Sequence, residues 1–354
     1  MVFYKIGRAF MRIFILINLL VFITIAAVLG TVLIYVITLI NNKKLEKWFR
    51  YFLLYMQANI VFIVFGPFFP FPITVRFNKK VIKSKKSILI SNHICDYDWI
   101  YMLVLAYQWD KLEDFKFIMK KELSEVPLLG TILKFEGNVF LERGNKERDI
   151  EILTNKGKEF SMEDRQLLCF FPEGTYPDIK SFQKSIKYAE KSGIQHSNGA
   201  CFIPKNVLLP RSSGFDILKD SFTYDGIIDA TIFNNPYNFI YINESSLMDF
   251  FIFEKFPIAH FFHIEFFESS EVGDDFITQA FTNKDKILEK YNEKYDGKFI
   301  NKQENVIKIL DEVDIKNKNE YETATYYIKS KYRYLVYCFI GYFYIKLIFK
   351  FFSK

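Results

Sequence analysis

The feature that most constrains this chain is Ile13–Ile40, a run with no charged residue, broken only by Asn18, Gly30 and the threonines 24, 31 and 38. As a helix rising about 1.5 Å per residue it reaches roughly 42 Å, more than the approximately 30 Å hydrocarbon core of a bilayer. One membrane-spanning helix is therefore expected, tilted or extending past the bilayer, with no room for two. The run is about twice the length of a signal-peptide h-region, so a retained span is expected, not a cleaved leader. Lys5, Arg8 and Arg12 precede it and Lys43, Lys44, Lys47 and Arg50 follow, which leaves its orientation open. Half of the 354 residues are hydrophobic and 19% are aromatic while a quarter are charged, a balance that fits membrane association.

Tyr51–Val75 is apolar again, but Gly66, Pro67, Pro70 and Pro72 should end any helix near Phe65. A helix over Leu53–Phe65 is too short to span, so residues 51–75 are expected to lie at the interface or re-enter the leaflet. Lys79, Lys80, Lys83, Lys85 and Lys86 then stand where anionic headgroups would be, or in a solvated loop.

From Ser87 the pattern alternates. Residues 87–90, 115–119, 139–141 and 167–171 read as strands, with helices over 100–106, 127–135 and 147–161 between them. Such alternation predicts an α/β fold with a largely parallel sheet flanked by helices, whose ligands bind at strand ends. Further on, a strand near His263 and an amphipathic helix from about Asp274 to Tyr295 are expected. Residues 301–331 form a polar surface segment, and the tail 332–354 is an apolar helix that spans or lies at the interface, with Lys346 and Lys350 snorkelling.

Chemistry is expected at Ser91-Asn92-His93-Ile94-Cys95-Asp96-Tyr97-Asp98-Trp99, a junction of strand, turn and helix where backbone groups are left to face a cleft. An imidazole titrates near neutrality, and a neighbouring carboxylate can fix its tautomer, so His93 with one aspartate makes a general base. Ideal helical geometry from His93 selects Asp96 at about 60°, not Asp98 at about 140°. The alternative places His93 in the loop, with Asp96 capping the helix and Asp98 in its first turn. Cys95 as a thiolate nucleophile competes with Cys95 as a buried core residue.

Gly137-Asn138-Val139-Phe140-Leu141-Glu142-Arg143, Phe171-Pro172-Glu173-Gly174-Thr175 and Val207-Leu208-Leu209-Pro210-Arg211 follow in order. With the spacing of His93 and Asp98 these four blocks resemble the glycerophospholipid acyltransferases, the lysophosphatidic acid acyltransferase family. Within it they are most like the branch holding lysocardiolipin and lysophosphatidylinositol acyltransferases, which share Gly-Asn-Val-Phe and lack an arginine after Glu-Gly-Thr. Tyr176 stands where many members have that arginine.

The resemblance implies an acyltransferase domain over residues 76–300 and transfer from acyl-CoA to the hydroxyl of a lysophospholipid. His93 and Asp98 are the implied base pair. Arg143 would grip the acceptor headgroup, and Glu173 would order Arg143 or a substrate hydroxyl. From the residues themselves, Glu173-Gly174-Thr175 reads as a tight turn whose glycine lets the backbone approach a ligand. Arg143 and Arg211 each end a strand-like run where a guanidinium could grip a phosphate, and Pro210 would shape the acyl-CoA side. The implied location is the membrane of the endoplasmic reticulum, with the mitochondrial outer membrane as the second choice.

A net charge of +6 dispersed among acids suits an anionic membrane or phosphorylated ligands better than a nucleic-acid groove. Cys95, Cys169, Cys201 and Cys338 include no C-x-x-C pair, so neither a disulfide framework nor a zinc site is expected. No cofactor is expected besides acyl-CoA as co-substrate. The rivals are a metal-dependent membrane hydrolase using the carboxylates beside His93, and an inactive lipid-binding membrane protein.

Overall fold

The computed structural model describes residues 2–66, 72–193, 202–235, 259–295 and 318–336, with 338 and 342. The chain divides into two compact units, one of Met1–Pro70, Ser246–Lys255 and Tyr327–Lys354, the other of Phe71–Ser245 and Phe256–Tyr326.

In the first unit, helix α1 (Val2–Ile40) and helix α2 (Lys43–Phe65) are joined by two asparagines. Asn41 turns the chain with a φ of 53°, a left-handed conformation that asparagine tolerates better than most residues. Asn42 then caps α2, its side chain accepting from the amides of Lys44 and Leu45 at 3.1 Å each. Ile23 of α1 packs against Ile63 and Val64 of α2, alongside Tyr332 and Val336. Leu16–Ile40 and Lys43–Phe65 are each long and apolar enough to cross a membrane.

The expected short helix over Leu53–Phe65 is therefore corrected to a helix of 23 residues. Lys43, Lys44, Lys47 and Arg50, expected only as charges flanking the first span, lie within α2, because lysine and arginine are good helix formers and Asn42 caps the helix ahead of them. Most of the expected tail helix over 332–354 lies outside the described residues, as do residues 301–317 of the polar segment and Cys201.

The second unit is built on one eight-stranded sheet. Its first half in sequence runs β1 (Ile73–Asn78), α3 (Lys80–Lys83), β2 (Lys86–Ser91), α4 (Asp98–Gln108), β3 (Phe115–Lys120), α5 (Leu129–Phe135), β4 (Val139–Leu141) and α6 (Lys146–Ser161). Then come β5 (Gln166–Phe170), α7 (Ile179–Ser192), α8 (Ser212–Ser221), β6 (Gly226–Asn235), β7 (Ala259–Glu268), α9 (Phe276–Tyr295) and β8 (Tyr321–Tyr326). The strand order is β4-β3-β5-β2-β6-β7-β1-β8. Pairing is parallel except between β6 and β7 and between β1 and β8.

The centre of the sheet explains the apolar run at 87–90. Leu89 lies between Cys169 of β5 and Ile228 of β6, and Ile88, Leu89 and Ile90 are wholly buried, each contributing about 1.5–3 kcal/mol on burial. Strands covered on both faces lose alternation and become continuous hydrophobic runs. Ile73–Val75, expected to end an interfacial stretch, instead open β1 and are buried in the sheet. Tyr321–Tyr326, expected within a polar surface segment, forms the half-exposed edge strand β8. Of the lysines expected near headgroups, Lys80 pairs with Glu268 at 2.8 Å, and Lys79 and Lys86 donate to the carbonyls of Asn319 and Ser161.

Candidate active site

The site forms where parallel strands β2, β4 and β5 end and their connections begin. His93 lies in the loop after β2, outside any helix, and α4 starts at Asp98. Asp98 turns back: its Oδ2 accepts from His93 Nδ1 at 2.8 Å, from the Cys95 amide at 3.1 Å and from the Ile94 amide. Cys95 Sγ donates to Oδ1 at 3.4 Å. Those backbone donors hold the buried carboxylate in one orientation, so Nδ1 carries the proton and Nε2 is left as the basic nitrogen. Only a fifth of the His93 side chain is exposed, while Asp98 is fully buried. Phe171 stacks on the imidazole at 4.6 Å, and Tyr176 meets it edge-on at 5.8 Å.

Asp96 does not cap α4. The capping position is Tyr97, which makes no side-chain cap, and exposed Asp96 is hydrogen-bonded by Tyr176, whose phenol its charge pushes up. The thiolate reading of Cys95 also fails, because burial and then the Asp98 charge push its thiol well up.

Two arginines meet at the turn after β5. Arg143, just past β4, is held by Asp149, which accepts from the amides of Glu142 and Arg143 at 2.8 and 2.9 Å, and its φ of 59° is left-handed. Its Nη1 donates to the Gly174 carbonyl at 2.6 Å. The Arg211 guanidinium lies 3.3 Å from where a Cβ on Gly174 would sit, and its amide donates to Pro172 O at 2.8 Å. With a φ of 75° as well, position 174 needs glycine for both conformation and space. Desolvation and then the like charge of Arg211 hold Arg143 below its usual guanidinium range. Two adjacent guanidiniums at a turn make an anion-binding feature. Thr175 is exposed beside them. Half-buried Pro210 sits between two anchored amides, Leu209 to Ser185 Oγ and Arg211 to Pro172 O, a shaping role.

Glu173 differs from expectation. It neither orders Arg143 nor reaches outward; it is buried, and its Oε2 accepts from the His93 amide at 3.3 Å. Burial pushes its carboxyl well above the usual range, with the Asp98 charge adding to the rise. Glu142, the neighbour of Arg143 in sequence, pairs with Lys121 at 2.8 Å and Arg148 at 3.2 Å.

Three supports were not legible. Asn92 bonds both backbone groups of Ile232, at 2.8 and 3.2 Å, tying the end of β2 to β6. Phe171 reads in sequence as the end of a strand and the start of a motif block, not as a cover for the imidazole. Lys284 of α9 is buried, pairs with Asp229 and donates to Ala230 O at 2.7 Å, and its charge reaches Glu173. Only Asn92, a polar residue at the end of an apolar strand, carried a local signal. Among the described residues no three of His, Cys, Asp or Glu converge as a metal-holding set.

Comparison with known proteins sets this geometry in a lineage. Residues 72–203 match the acyltransferase family model. An uncharacterized acyltransferase of Schizosaccharomyces pombe is 26% identical over 289 residues, 74% of this chain and 78% of that protein. A probable 1-acyl-sn-glycerol-3-phosphate acyltransferase of Arabidopsis thaliana is 32% identical over 158 residues, 43% of this chain and 40% of its own. The 2-acyl-1-lysophosphatidylinositol acyltransferase of Saccharomyces cerevisiae is 25% identical over 262 residues, 60% of this chain and 64% of its own. The chain thus spans less than two thirds of the length of the last two relatives. The matched domain holds His93, Asp98, Arg143 and the Glu173 turn, and these matches support the glycerophospholipid acyltransferase family for it.

Proposed function

We propose that this chain is a membrane-bound enzyme that moves an acyl group from acyl-CoA to the free hydroxyl of an anionic lysophospholipid. The observation that carries the proposal is the His93 Nδ1 to Asp98 Oδ2 contact of 2.8 Å, with two guanidiniums at the neighbouring Gly174 turn. An alcohol is a weak nucleophile near neutral pH. His93 Nε2 takes the hydroxyl proton as the oxygen attacks the thioester carbonyl, and Asp98 stabilises the imidazolium. The carbon–sulfur bond then breaks, and Nε2 returns the proton to the departing CoA sulfur, giving ester and free thiol. The substrate supplies the nucleophile, so no enzyme serine is needed and no cofactor beyond acyl-CoA. A positioned base contributes typically 10²–10⁴-fold.

Arg143 and Arg211 select an acceptor phosphate. Lysophosphatidic acid, lysophosphatidylinositol and monolysocardiolipin all present one, and Tyr176 in place of an arginine removes one cation from the rim. Helices α1 and α2 support membrane association by their length and composition. The family resemblance favours the endoplasmic reticulum over the mitochondrial outer membrane.

The test is release of free thiol by purified full-length protein given acyl-CoA and a panel of lysolipids. Release is expected with anionic acceptors. Lysophosphatidylcholine as the best acceptor would contradict the phosphate grip, and no release with any acceptor would contradict the reaction.

A further inference from the structure

Helix α7 leaves the active-site turn carrying a feature the reaction does not use. It is capped by Asp178, which accepts from the Ser181 amide while Ser181 Oγ accepts from the Asp178 amide. At about 100° per residue, Phe182, Ser185 and Ala189 share one side. Ala189 belongs to the core, and Ser185 Oγ accepts from the Leu209 amide at 2.8 Å. Lys180, Lys184, Lys187 and Lys191 fall within about 60° of one another on the opposite side, and all four are exposed.

This stripe works against the helix. Lys180 and Lys184, and again Lys187 and Lys191, are four apart, a spacing at which like charges destabilise a helix, and the helix holds a single acid, Glu190. Elsewhere on this unit Lys121, Lys156, Lys205 and Lys219 each meet a carboxylate. Among the described residues Lys184, Lys187 and Lys191 form no ion pair. Beside the stripe, Ile179 and Tyr188 are 49% and 63% exposed. A cluster of four lysines on the outward face of an amphipathic helix is attracted to an anionic bilayer surface.

We propose that α7 docks on an anionic bilayer surface, with Lys180, Lys184, Lys187 and Lys191 against lipid phosphates and Ile179 and Tyr188 at headgroup level. α7 starts three residues after Tyr176, which borders His93, and Ser185 is tied to the segment leading to Arg211. Docking would hold both walls of the site at the depth where a lysophospholipid presents its hydroxyl. This extends the acyl-transfer reading, but it is tested by lysine protection and not by turnover, so either can fail alone.

The experiment places the full-length chain in nanodiscs of phosphatidylcholine, with or without about one third phosphatidylserine, and follows acetylation of each lysine by mass spectrometry. Lys184, Lys187 and Lys191 should react at least about fivefold more slowly in the anionic discs, while Lys156 is unchanged. About 0.5 M salt should abolish the difference, because screening then acts over about 4 Å. The double substitution Lys184→Glu with Lys187→Glu should remove the salt-sensitive protection of Lys191. Equal acetylation in the two disc types would overturn the proposal. Protection by CoA added to neutral discs would also overturn it, by assigning the stripe to the donor nucleotide.

Discussion

Two histidines of this unit each face a carboxylate, and only one of them is open. His93 follows β2, 2.8 Å from Asp98 and 20% exposed. His263 sits within β7, 3.5 Å from Glu265 and 1% exposed, with Tyr321 stacked at 5.9 Å. Near it Lys284 and Asp229 form a buried ion pair. Residue type therefore does not mark the site. A histidine beyond the end of a parallel strand keeps a nitrogen for substrate, whereas one in mid-strand is covered by whatever packs on that face. The partners differ too. Asp98 is held by backbone amides that cost nothing to orient, whereas the Lys284–Asp229 pair gives up solvation of two charges.

The largest expected effect breaks the open member. His93→Ala should lower kcat by about 10²–10⁴-fold with the fold intact by circular dichroism, because α4 keeps its buried face of Ile100, Leu103 and Val104. Turnover near the wild-type rate would remove the base from the mechanism. In the sealed half, Lys284→Met should cost about 3–5 kcal/mol in denaturant unfolding by leaving Asp229 unpaired, with kcat per folded molecule changed only a fewfold. A collapse of kcat without loss of stability would show that the sealed half takes part in the chemistry.

At the rim, Arg143→Ala should raise the acceptor KM about tenfold and leave the acyl-CoA KM nearly unchanged, since it removes a contact shared by ground and transition states. Equal changes in both would make Arg143 a support for the Gly174 turn.

The smallest effect isolates burial. Glu136 is buried and pushed up to about 8, with Lys116 and Asn138 opposing the rise. The unfolded chain releases this proton near the usual 4.5, but the folded chain keeps it until about 8, so folding stability falls as pH rises through that window. Glu136→Gln should flatten the decline of Tm between about pH 5 and pH 8, and an unchanged slope would contradict the shift.

Sequence reached furthest where chemistry and position coincide. The runs at 87–90, 115–119, 139–141 and 167–171 became β2, β3, β4 and β5 because parallel strands covered on both faces are predominantly apolar. Strands β1 and β8 were lost at opposite extremes, one merged into an apolar stretch rich in proline, the other an edge strand with polar residues facing out. Helices α7 and α8 were not anticipated, the first because its lysines hide a narrow buried face. Burial was the quantity least legible. Glu173 was expected to order Arg143 or a substrate hydroxyl and Lys284 was not singled out, and only the packing of β5, β6 and α9 buries them.

The central claim is that His93 is served by Asp98 and not by Asp96. The direct measurement is kcat for thiol release by Asp98→Asn and by Asp96→Asn, side by side. Asparagine at 98 can still accept from the Ile94 and Cys95 amides but cannot stabilise an imidazolium by charge, so kcat should fall by about 10²-fold or more. Asp96 is exposed and hydrogen-bonded by Tyr176, and Asp96→Asn should change kcat only a fewfold. A large loss at 96 with near-normal turnover at 98 would contradict the account.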